Sequence, residues 1–555
     1  MNIRSSNNGN HLWQRAADLA FWAAVIYVCV YKLWLSAALP FSIPMLMPAD
    51  ETWFFKMAYS IYTGNWFGET YNHHTLIKAP VYPLFLSFLA NLGIHPKIAL
   101  DLLYTGASLI FLAALRTTLH NRIALFIAFI LVLVNPVTFS NYWTVPLRLN
   151  LFMPLVLIYL SAILALIAHA SAAKPTMPLL WSLLCSVSLA LAWYTREEAV
   201  WMIAALAPLA WLSLRCFRGR TQSVQVLTFW LLIFLLPYFL GSVVASINKD
   251  KYGFDGVQDT KAPEYSRAMG AIYSLNTVDD HSNKYFTFET RDKMLAISNN
   301  TQRVFEILID PTHGGYKHFG KSIGGGRASW SIRDAMAIIG YYKDPVSTES
   351  AYKVIADDIE KYCRQQPGNC RSMYMSGVLI KPVSWLYFST TVRNSTENLL
   401  NFKPFPPAAR AGKRERGDYK YQYFANRLFN FNTSWNPALE QNIDILSTEK
   451  KRIRKIDRIY AFYQNNFWIL ALLALLSTIV AFFSKPVEPK FIGLLLFGSC
   501  AASYSVYLLV SLFAVPGFSR LLAIVSVPLL VLVAYYLAFL WQQSVGWAFS
   551  KLRRT

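Results

Sequence analysis

The chain has 555 residues, of which 55% are hydrophobic and only 15% charged, and its mean hydropathy is positive. A soluble protein cannot bury that much apolar surface, so the composition predicts a protein that lies mostly in lipid. The formal charge of +21 does not point to nucleic acid, because the basic residues flank apolar runs, as membrane orientation requires. The sequence also lacks a zinc-ribbon spacing, a P-loop and a dinucleotide fingerprint.

Ten apolar runs are long enough, or nearly so, to cross a bilayer as helices, which takes roughly 20 residues. They lie at 17–39, 97–118, 122–139, 150–171, 177–194, 199–215, 224–247, 465–484, 490–511 and 518–542. We therefore predict a polytopic α-helical membrane protein with about ten transmembrane helices. A further span at 372–392 is rejected, because it would place Lys381 and Pro382 near the middle of the bilayer.

The short loops support this arrangement of spans. With a cytoplasmic N-terminus, every inside segment is basic: Arg4 and Arg15, 116–122, Lys174, 215–220, Lys485 and Lys490, and the tail at 551–554. The outside loops at 140–149, 195–198 and 512–517 carry few positive charges. This asymmetry agrees with the positive-inside rule and predicts that both termini are cytoplasmic.

One long outside segment, 248–463, separates the transmembrane parts 1–247 and 464–555. It is long enough to be a domain with its own core, and its patterns are mixed, with helix-like periodicity at 328–362. Cys363 and Cys370, in CRQQPGNC, would form a disulfide if this segment lies outside the cytosol. We therefore predict an inserted extracytoplasmic domain of mixed structure.

The first outer loop, within 40–96, contains many ionisable residues; at 48–83 it reads PADETWFFKMAYSIYTGNWFGETYNHHTLIKAPVYP. Apolar residues recur at helical spacing after Asp50 until Gly64, which predicts a helix lying flat in the membrane interface. A carboxylate held at that level beside apolar walls is suited to act as a general base. The alternative is that Asp50 only caps the helix, since Asp is a favoured N-cap residue.

Three pieces of this loop carry a resemblance to a known family: Asp50-Glu51, SIYTGNWF at 60–67 and KAPVYPLFLSFL at 78–89. In this order after a first span, they resemble the GT-C superfamily of membrane glycosyltransferases. That superfamily includes the protein O-mannosyltransferases and the aminoarabinose transferases that modify lipid A. The resemblance covers roughly the first 200 residues, and its motifs are specific only in combination.

The resemblance implies a GT-C-like fold and an inverting transfer of a sugar from a polyprenyl-phosphate donor. It also implies a multi-pass protein of the bacterial inner membrane with a periplasmic active site, and it leaves open whether a divalent cation takes part. By this resemblance Asp50 is the candidate base, and Glu51 is the neighbour that orients it or binds the cation. Lys78 matches the lysine that faces the lipid phosphate, although the segment here is Lys-Ala-Pro, one proline short.

Further charges lie on the same predicted face. Arg148 begins the fourth span beside Asn150, where many relatives carry a carboxylate, so the sequence argues against a two-acid site. Relatives often carry a basic residue where Arg520 enters the tenth span. We interpret Arg148 and Arg520 as lipid-phosphate contacts, and the alternative for Arg520 is anchoring to lipid headgroups. Arg196, Glu197 and Glu198 share one short outer turn, which predicts either a substrate contact or a local ion pair.

His73 and His74 invite a metal interpretation. Adjacent histidines rarely point at one ion from a regular element, and no third ligand follows at helical spacing. We therefore predict that they contact substrate from a surface loop. Tyr82 is predicted to stack on a sugar, although tyrosines of interfacial belts have the same position.

Three functions compete. The first is a glycosyltransferase acting on a lipid, a glycan or a protein acceptor, for which transfer of a pentose such as arabinofuranose to a pilin is one case. The second is a transporter or lipid flippase, but the sequence shows no internal repeat and its charges cluster on one face. The third is a scaffold without catalysis, which would leave Asp50, Lys78 and Arg520 with no shared purpose.

Overall fold

The computed structural model describes most of the chain. The described residues are 7–39, 50–172, 174, 176–216, 219–275, 284–286, 288–310, 312, 323–370, 374–375, 378–379, 384–405, 407, 427–429, 447–483, 487–513 and 521–552. Most of them are helical, as the apolar runs of the sequence predict for the membrane part.

The N-terminal part consists of ten helices and two single 3-10 turns, Pro136–Phe139 and Glu197–Ala199. In chain order the helices are α1 Asn7–Ser36, α2 Asp50–Tyr62, α3 Val81–Asn91, α4 Pro96–Leu115, α5 Arg122–Leu133, α6 Arg148–Ser171, α7 Leu179–Trp193, α8 Val200–Ala204, α9 Ala207–Cys216 and α10 Arg220–Tyr252. Their ends follow local chemistry. His95 caps α4 in front of Pro96, and Gly253 ends α10 in the left-handed conformation, with φ of 75°.

The long segment after α10 contains six helices among its described residues: α11 Pro263–Ser274, α12 Phe288–Ile297, α13 Asn299–Ile309, α14 Gly325–Ile339, α15 Pro345–Gln365 and α16 Trp385–Leu400. Two small antiparallel pairs join β1 Lys284–Phe286 to β2 Ile323–Gly324 and β3 Tyr374–Met375 to β4 Val378–Leu379. A 3-10 turn spans Pro367–Asn369, and another spans Asp259–Lys261. The predicted helical stretch at 328–362 is confirmed as α14 and α15, and the predicted Cys363–Cys370 disulfide is formed.

Three long helices complete the chain, α17 Ser447–Phe483, α18 Val487–Phe513 and α19 Leu522–Leu552. Eight helices among the described residues are long and apolar enough to cross a membrane: Trp13–Ser36, Pro96–Leu115, Arg148–Ser171, Glu197–Arg215, Arg220–Tyr252, Lys450–Phe483, Glu488–Leu512 and Leu522–Val545. The chain is therefore a multi-pass membrane protein.

Two of the ten predicted spans give shorter helices. The run at 122–139 forms a helix of 12 residues, because Asn135 and Pro136 start a separate turn. The run at 177–194 forms a helix of 15 residues that begins after Pro178. Both helices are apolar, and the count of ten spans stays a prediction.

Two helices form the centre of the bundle. In its most apolar stretch, α6 is 94% buried and α19 is 89% buried, whereas α10 is only 17% buried. A helix that is apolar around its whole circumference needs partners on every side, and α6 packs on α4, α7, α9, α18 and α19. The N-terminus of this central helix is Arg148, so a charged residue lies at one end of an apolar core.

The predicted helix after Asp50 is present as α2, and its last turn closes at Gly64, with φ of 84°. Its apolar side chains do not line a lipid-facing stripe. Trp53, Phe54 and Met57 are buried in protein, because α2 packs along α3. The first outer loop is therefore folded onto the helical bundle at this point.

Candidate active site

The proposed base lies at the first position of α2. The helix begins at Asp50 and continues through Glu51, but the side chains of both residues lie outside the described part of the chain, as does Arg520 entirely. Their predicted roles stay predictions. The structure does describe Phe54, one turn later, whose buried ring has its centroid 5.5 Å from Arg148 Cζ. The N-terminal turn of α2 therefore runs beside the Arg148 guanidinium.

Arg148 and Glu197 form an ion pair between two segments. Arg148 Nη1 donates to Glu197 Oε2 at 2.9 Å, to Oε1 at 3.1 Å and to the carbonyl oxygen of Thr195 at 3.1 Å. The Arg148 side chain is 7% exposed and that of Glu197 is 39% exposed. Among the described residues, Glu197 is the anion that pairs with this guanidinium at the rim of an apolar core, and its carboxylate remains partly open to solvent or a ligand.

The other two charges of the short turn satisfy each other. Arg196 Nε and Nη2 donate to the two carboxylate oxygens of Glu198, at 3.0 Å and 2.8 Å, and both side chains are largely buried. This fork-to-fork pair is the local ion pair that the sequence left as an alternative to substrate contact. Glu197 pairs outside the turn, because its partner Arg148 lies at the start of α6.

Lys78 lies close to this pair. The carbonyl of Tyr194, two residues before the charged turn, accepts a 3.4 Å hydrogen bond from the Val81 N–H. That bond joins the loop that carries Lys78 to the turn that carries Glu197, and Lys78 acts electrostatically on the Glu197 carboxylate. The Lys78 side chain is half-buried, and no residue in the described part of the chain forms an ion pair or a hydrogen bond with its ammonium group.

Tyr82 packs in the core. Its side chain is fully buried, with the Phe54 ring edge-on at 5.1 Å and the Phe85 ring stacked at 6.4 Å between centroids. Position 82 faces α2 because it falls in the first turn of α3, the helix that packs on α2. This burial favours a structural role over the predicted sugar contact.

His73 and His74 lie in the turn between α2 and α3, and their backbone is firmly held. The carbonyl of His73 accepts from Arg333 Nε at 3.0 Å and Nη2 at 2.6 Å, and that of His74 accepts from Trp53 Nε1 at 2.6 Å. Arg333 is buried and also pairs with Asp259 at 2.8 Å. Burial, together with the neighbouring His73, lowers the pKa of His74 to about 4, so the ring is neutral at pH 7.

The sequence interpretation named Arg333 as a possible acceptor contact but did not foresee its hydrogen bonds to His73, because they join segments 260 residues apart. It also missed a buried cluster on Asp101. Lys32 Nζ lies 3.0 Å from Asp101 Oδ1, and Lys97 Nζ lies 2.9 Å from Asp101 Oδ2. The available signal was the presence of charges within or at the start of apolar runs, which is expensive without partners.

Chemically, the described site is a cationic wall with one accessible anion. Lys78 and Arg148 place two positive groups near the start of α2. The carboxylate of Glu197 forms an ion pair with Arg148 and is also attracted by the charge of Lys78. Such a wall suits the oxygens of a phosphate, while a carboxylate beside it can accept hydrogen bonds from hydroxyl groups.

Comparisons with known proteins add little. No protein-family model and no curated protein matches the chain. Among solved structures, it is similar to the crystal structure of ArnT from Cupriavidus metallidurans bound to undecaprenyl phosphate. The match has 11% identity over 89% of this chain and 77% of that chain, with a TM-score of 0.30.

Proposed function

We propose that the chain is an inverting glycosyltransferase that moves a sugar from a polyprenyl-phosphate donor to a lipid, glycan or protein acceptor. The reaction would take place at the outer face of the bacterial inner membrane, with both termini in the cytoplasm. Residues 1–247 and 464–555 would form the membrane module, and 248–463 the periplasmic domain. This proposal unites the multi-pass architecture with a cationic site at the end of a helical bundle.

The observation that carries the proposal is half-buried Lys78, whose ammonium forms no ion pair or hydrogen bond with a described residue and lies beside the Arg148–Glu197 pair. Partly burying a cation without a partner is unfavourable, so such a group is usually held for a ligand of opposite charge. At the end of a membrane-spanning helical bundle, the phosphate of a lipid is an anion that can reach such a cation.

The proposed chemistry is a single displacement. Asp50 takes the proton of the acceptor hydroxyl, whose oxygen attacks the anomeric carbon while the bond from that carbon to the phosphate oxygen breaks. The electron pair of the broken bond stays with the leaving polyprenyl phosphate, so no proton has to be donated to it. Lys78, Arg148 and Arg520 would stabilise the phosphate, and Glu197 would hold Arg148 in place or bind a sugar hydroxyl.

The structure supports placing Asp50 near this phosphate site. Phe54 lies 5.5 Å from the Arg148 guanidinium, and Asp50 precedes Phe54 by four residues in the same helix. One helical turn rises about 5.4 Å, so the start of α2 lies within side-chain reach of the Arg148 region. Phe54 of the same helix also contacts Tyr82, in the first turn of α3. Lys78 lies four residues before Tyr82, so this contact holds the start of α2 near the loop that carries Lys78.

Activity can be tested with purified full-length protein in liposomes. Polyprenyl-phosphate donors carrying radiolabelled pentoses or hexoses would be mixed with a cell-envelope fraction, and the label transferred to acceptors would be measured. We expect Asp50→Asn to lower transfer at least about 100-fold, and Lys78→Ala to lower kcat by a similar factor. Lys249→Ala is the matched control, since Lys249 is an exposed lysine in a surface pair, and it should keep wild-type activity. A folded Asp50→Asn protein with wild-type transfer would show that Asp50 is not the base.

The orientation can be tested in intact cells. In a chain whose free cysteines are replaced, Val346→Cys lies on an exposed part of α15 and His120→Cys lies in the short loop between α4 and α5. A membrane-impermeant maleimide should label position 346 in intact cells and position 120 only after permeabilisation. The reverse pattern would refute a periplasmic active site.

A further inference from the structure

His73, His74 and Asp334 form a cluster that the proposed sugar transfer does not use. His73 Nε2 lies 3.2 Å from Asp334 Oδ1, and the two imidazole rings are 3.8 Å apart between centroids. One ring nitrogen of each histidine and one carboxylate oxygen of Asp334 all lie within 4.8 Å of one another. The third member therefore comes from α14, far along the chain from the two histidines.

We propose that His73, His74 and Asp334 bind one divalent transition-metal ion, with zinc as the best match. Two imidazoles and one carboxylate are a donor set that zinc accepts, with a fourth position left for water or another ligand. Harder cations such as magnesium and calcium prefer sites made of oxygen ligands. The site is separate from the Lys78–Arg148 wall and does not depend on the chemistry proposed there.

The geometry is close to that of an occupied site. Zinc bonds of about 2.0–2.2 Å in a tetrahedral arrangement place ligand atoms roughly 3.3–3.5 Å apart. The His73–Asp334 separation of 3.2 Å lies just short of this range, and no separation in the cluster exceeds 4.8 Å. The His73 and Asp334 side chains are 25% and 49% exposed, so small rotations can close the remaining gap.

Two polar atoms of the cluster are buried without a hydrogen-bond partner among the described residues. They are His74 Nδ1 and Asp334 Oδ1, and the close approach of His73 Nε2 to the latter does not make an aligned hydrogen bond. Buried polar atoms are normally satisfied, and an unsatisfied one needs a physical explanation. A plain His–Asp ion pair would leave His74 Nδ1 unsatisfied, whereas an ion bound at that nitrogen would satisfy it.

The ligands are held in place by groups outside the cluster. Arg333, directly before Asp334, donates twice to the His73 carbonyl, and Trp53 donates to the His74 carbonyl. The same Arg333 contact that fixes the loop therefore also brings Asp334 to the histidines. Neighbouring positive charge is limited, since Arg333 is neutralised by Asp259 and Lys56 is exposed. These bonds fix the backbone of both histidines, so their rings start from a defined position.

A bound ion would connect the first outer loop to the long segment after α10. Lys78 lies four residues after His74, and Trp53, which holds His74, precedes Phe54 under Arg148. The ion would act as a positioning element for the loop that carries Lys78, and it would not touch the reacting atoms.

The test is direct metal binding to the full-length protein in detergent, purified without a polyhistidine tag. After dialysis against chelator, Zn²⁺ alone is added back, and its affinity is measured by competition with a chromophoric chelator. We expect one ion per chain, and a loss of affinity of more than about 100-fold in His74→Ala and in Asp334→Asn. His120→Ala is the matched control, because His120 is exposed and remote in sequence from the cluster, and it should bind as wild type does.

Two outcomes would overturn the site: no stoichiometric binding by wild type, or equal affinity in wild type and Asp334→Asn. Because Asp334 is half-exposed, its replacement should leave the fold intact, which gel filtration and the intact Cys363–Cys370 disulfide would verify. Co²⁺ gives an independent readout: its visible absorption bands should change shape in His73→Ala, and identical spectra would exclude His73 as a ligand. Neither measurement uses sugar transfer, so a failure of the proposed function would leave the metal result unaffected.

Discussion

Replacing Asp101 by Asn should strongly destabilise the helical bundle. Asp101 is the one acidic group in a buried cluster that contains two lysines. Its oxygens accept from Lys32 Nζ at 3.0 Å, Lys97 Nζ at 2.9 Å, Ser36 Oγ at 2.7 Å and Trp143 Nε1 at 2.9 Å. The lysine side chains are 0% and 7% exposed, so water cannot replace the lost carboxylate.

Removing one partner of a buried ion pair typically costs about 3–5 kcal/mol, because a charge is left buried without compensation. Here two ammonium groups lose their anion at once, so we expect Asp101→Asn to reach that range. The matched control is Asp255→Asn, which makes the same chemical change in the exposed pair with Lys249, at 3.1 Å. Exposed pairs contribute about 0–1 kcal/mol, so this variant should be close to wild type.

The assay is the free energy of unfolding, obtained by titrating the purified protein with a denaturing detergent. A second variant, Lys32→Met combined with Asp101→Asn, removes one of the two stranded charges. It should recover part of the loss, with a coupling of about 0.5–3 kcal/mol. If Asp101→Asn destabilises no more than Asp255→Asn, the cluster does not hold α1 against α4 as the structure indicates.

Three other outcomes are expected. Reducing the Cys363–Cys370 disulfide frees a loop of eight residues and should lower stability by about 2.5 kcal/mol, which thermal unfolding with and without reductant would measure; an unchanged midpoint would contradict it. Burial raises the pKa of Tyr352 far above its usual value of about 10. The stability that the protonated hydroxyl contributes is therefore present below about pH 10 and is lost as the pH rises above about 10. Tyr352→Phe should reduce the alkaline fall in unfolding temperature, and a fall identical to that of wild type would contradict this. In Gly241→Ala the new Cβ would collide with the Tyr194 hydroxyl, which should lower the free energy of unfolding by about 1–3 kcal/mol. The loss should be smaller in a Tyr194→Phe background, and an equal loss there would contradict the collision.

The helices were predictable from the sequence because their signal is local. Eight of the apolar runs correspond to helices long enough to span a membrane, and the amphipathic spacing at 328–362 gives α14 and α15. The length of the helix at 122–133 was harder to predict, because the apolar run continues through Asn135 and Pro136 after the helix has ended. Hydropathy measures burial, and backbone chemistry decides where a helix stops.

The partners in the candidate site could not be predicted, because they are brought together by packing of distant segments. Arg148 and Glu197 were both singled out, but their pairing depends on the N-terminus of α6 meeting the turn after α7. For the adjacent histidines, a third ligand was sought at helical spacing, whereas Asp334 approaches from a helix 260 residues away. Spacing rules detect ligands from one element and cannot detect those contributed by two.

The position of the buried charges also bears on the choice between transfer and transport. Lys97 and Arg148 stand at the N-terminal ends of α4 and α6, and Ser36, which binds Asp101, ends α1. Between Arg148 and His169 the central helix α6 has no acidic or basic side chain. Transporters place their ion and substrate groups near the middle of the membrane, where this helix has no charged side chain and its Tyr159 and Ser161 hydroxyls bond to backbone carbonyls. In these described helices the buried charges lie near the helix ends, which fits the proposed transfer at one membrane surface better than movement of a polar solute through the bundle.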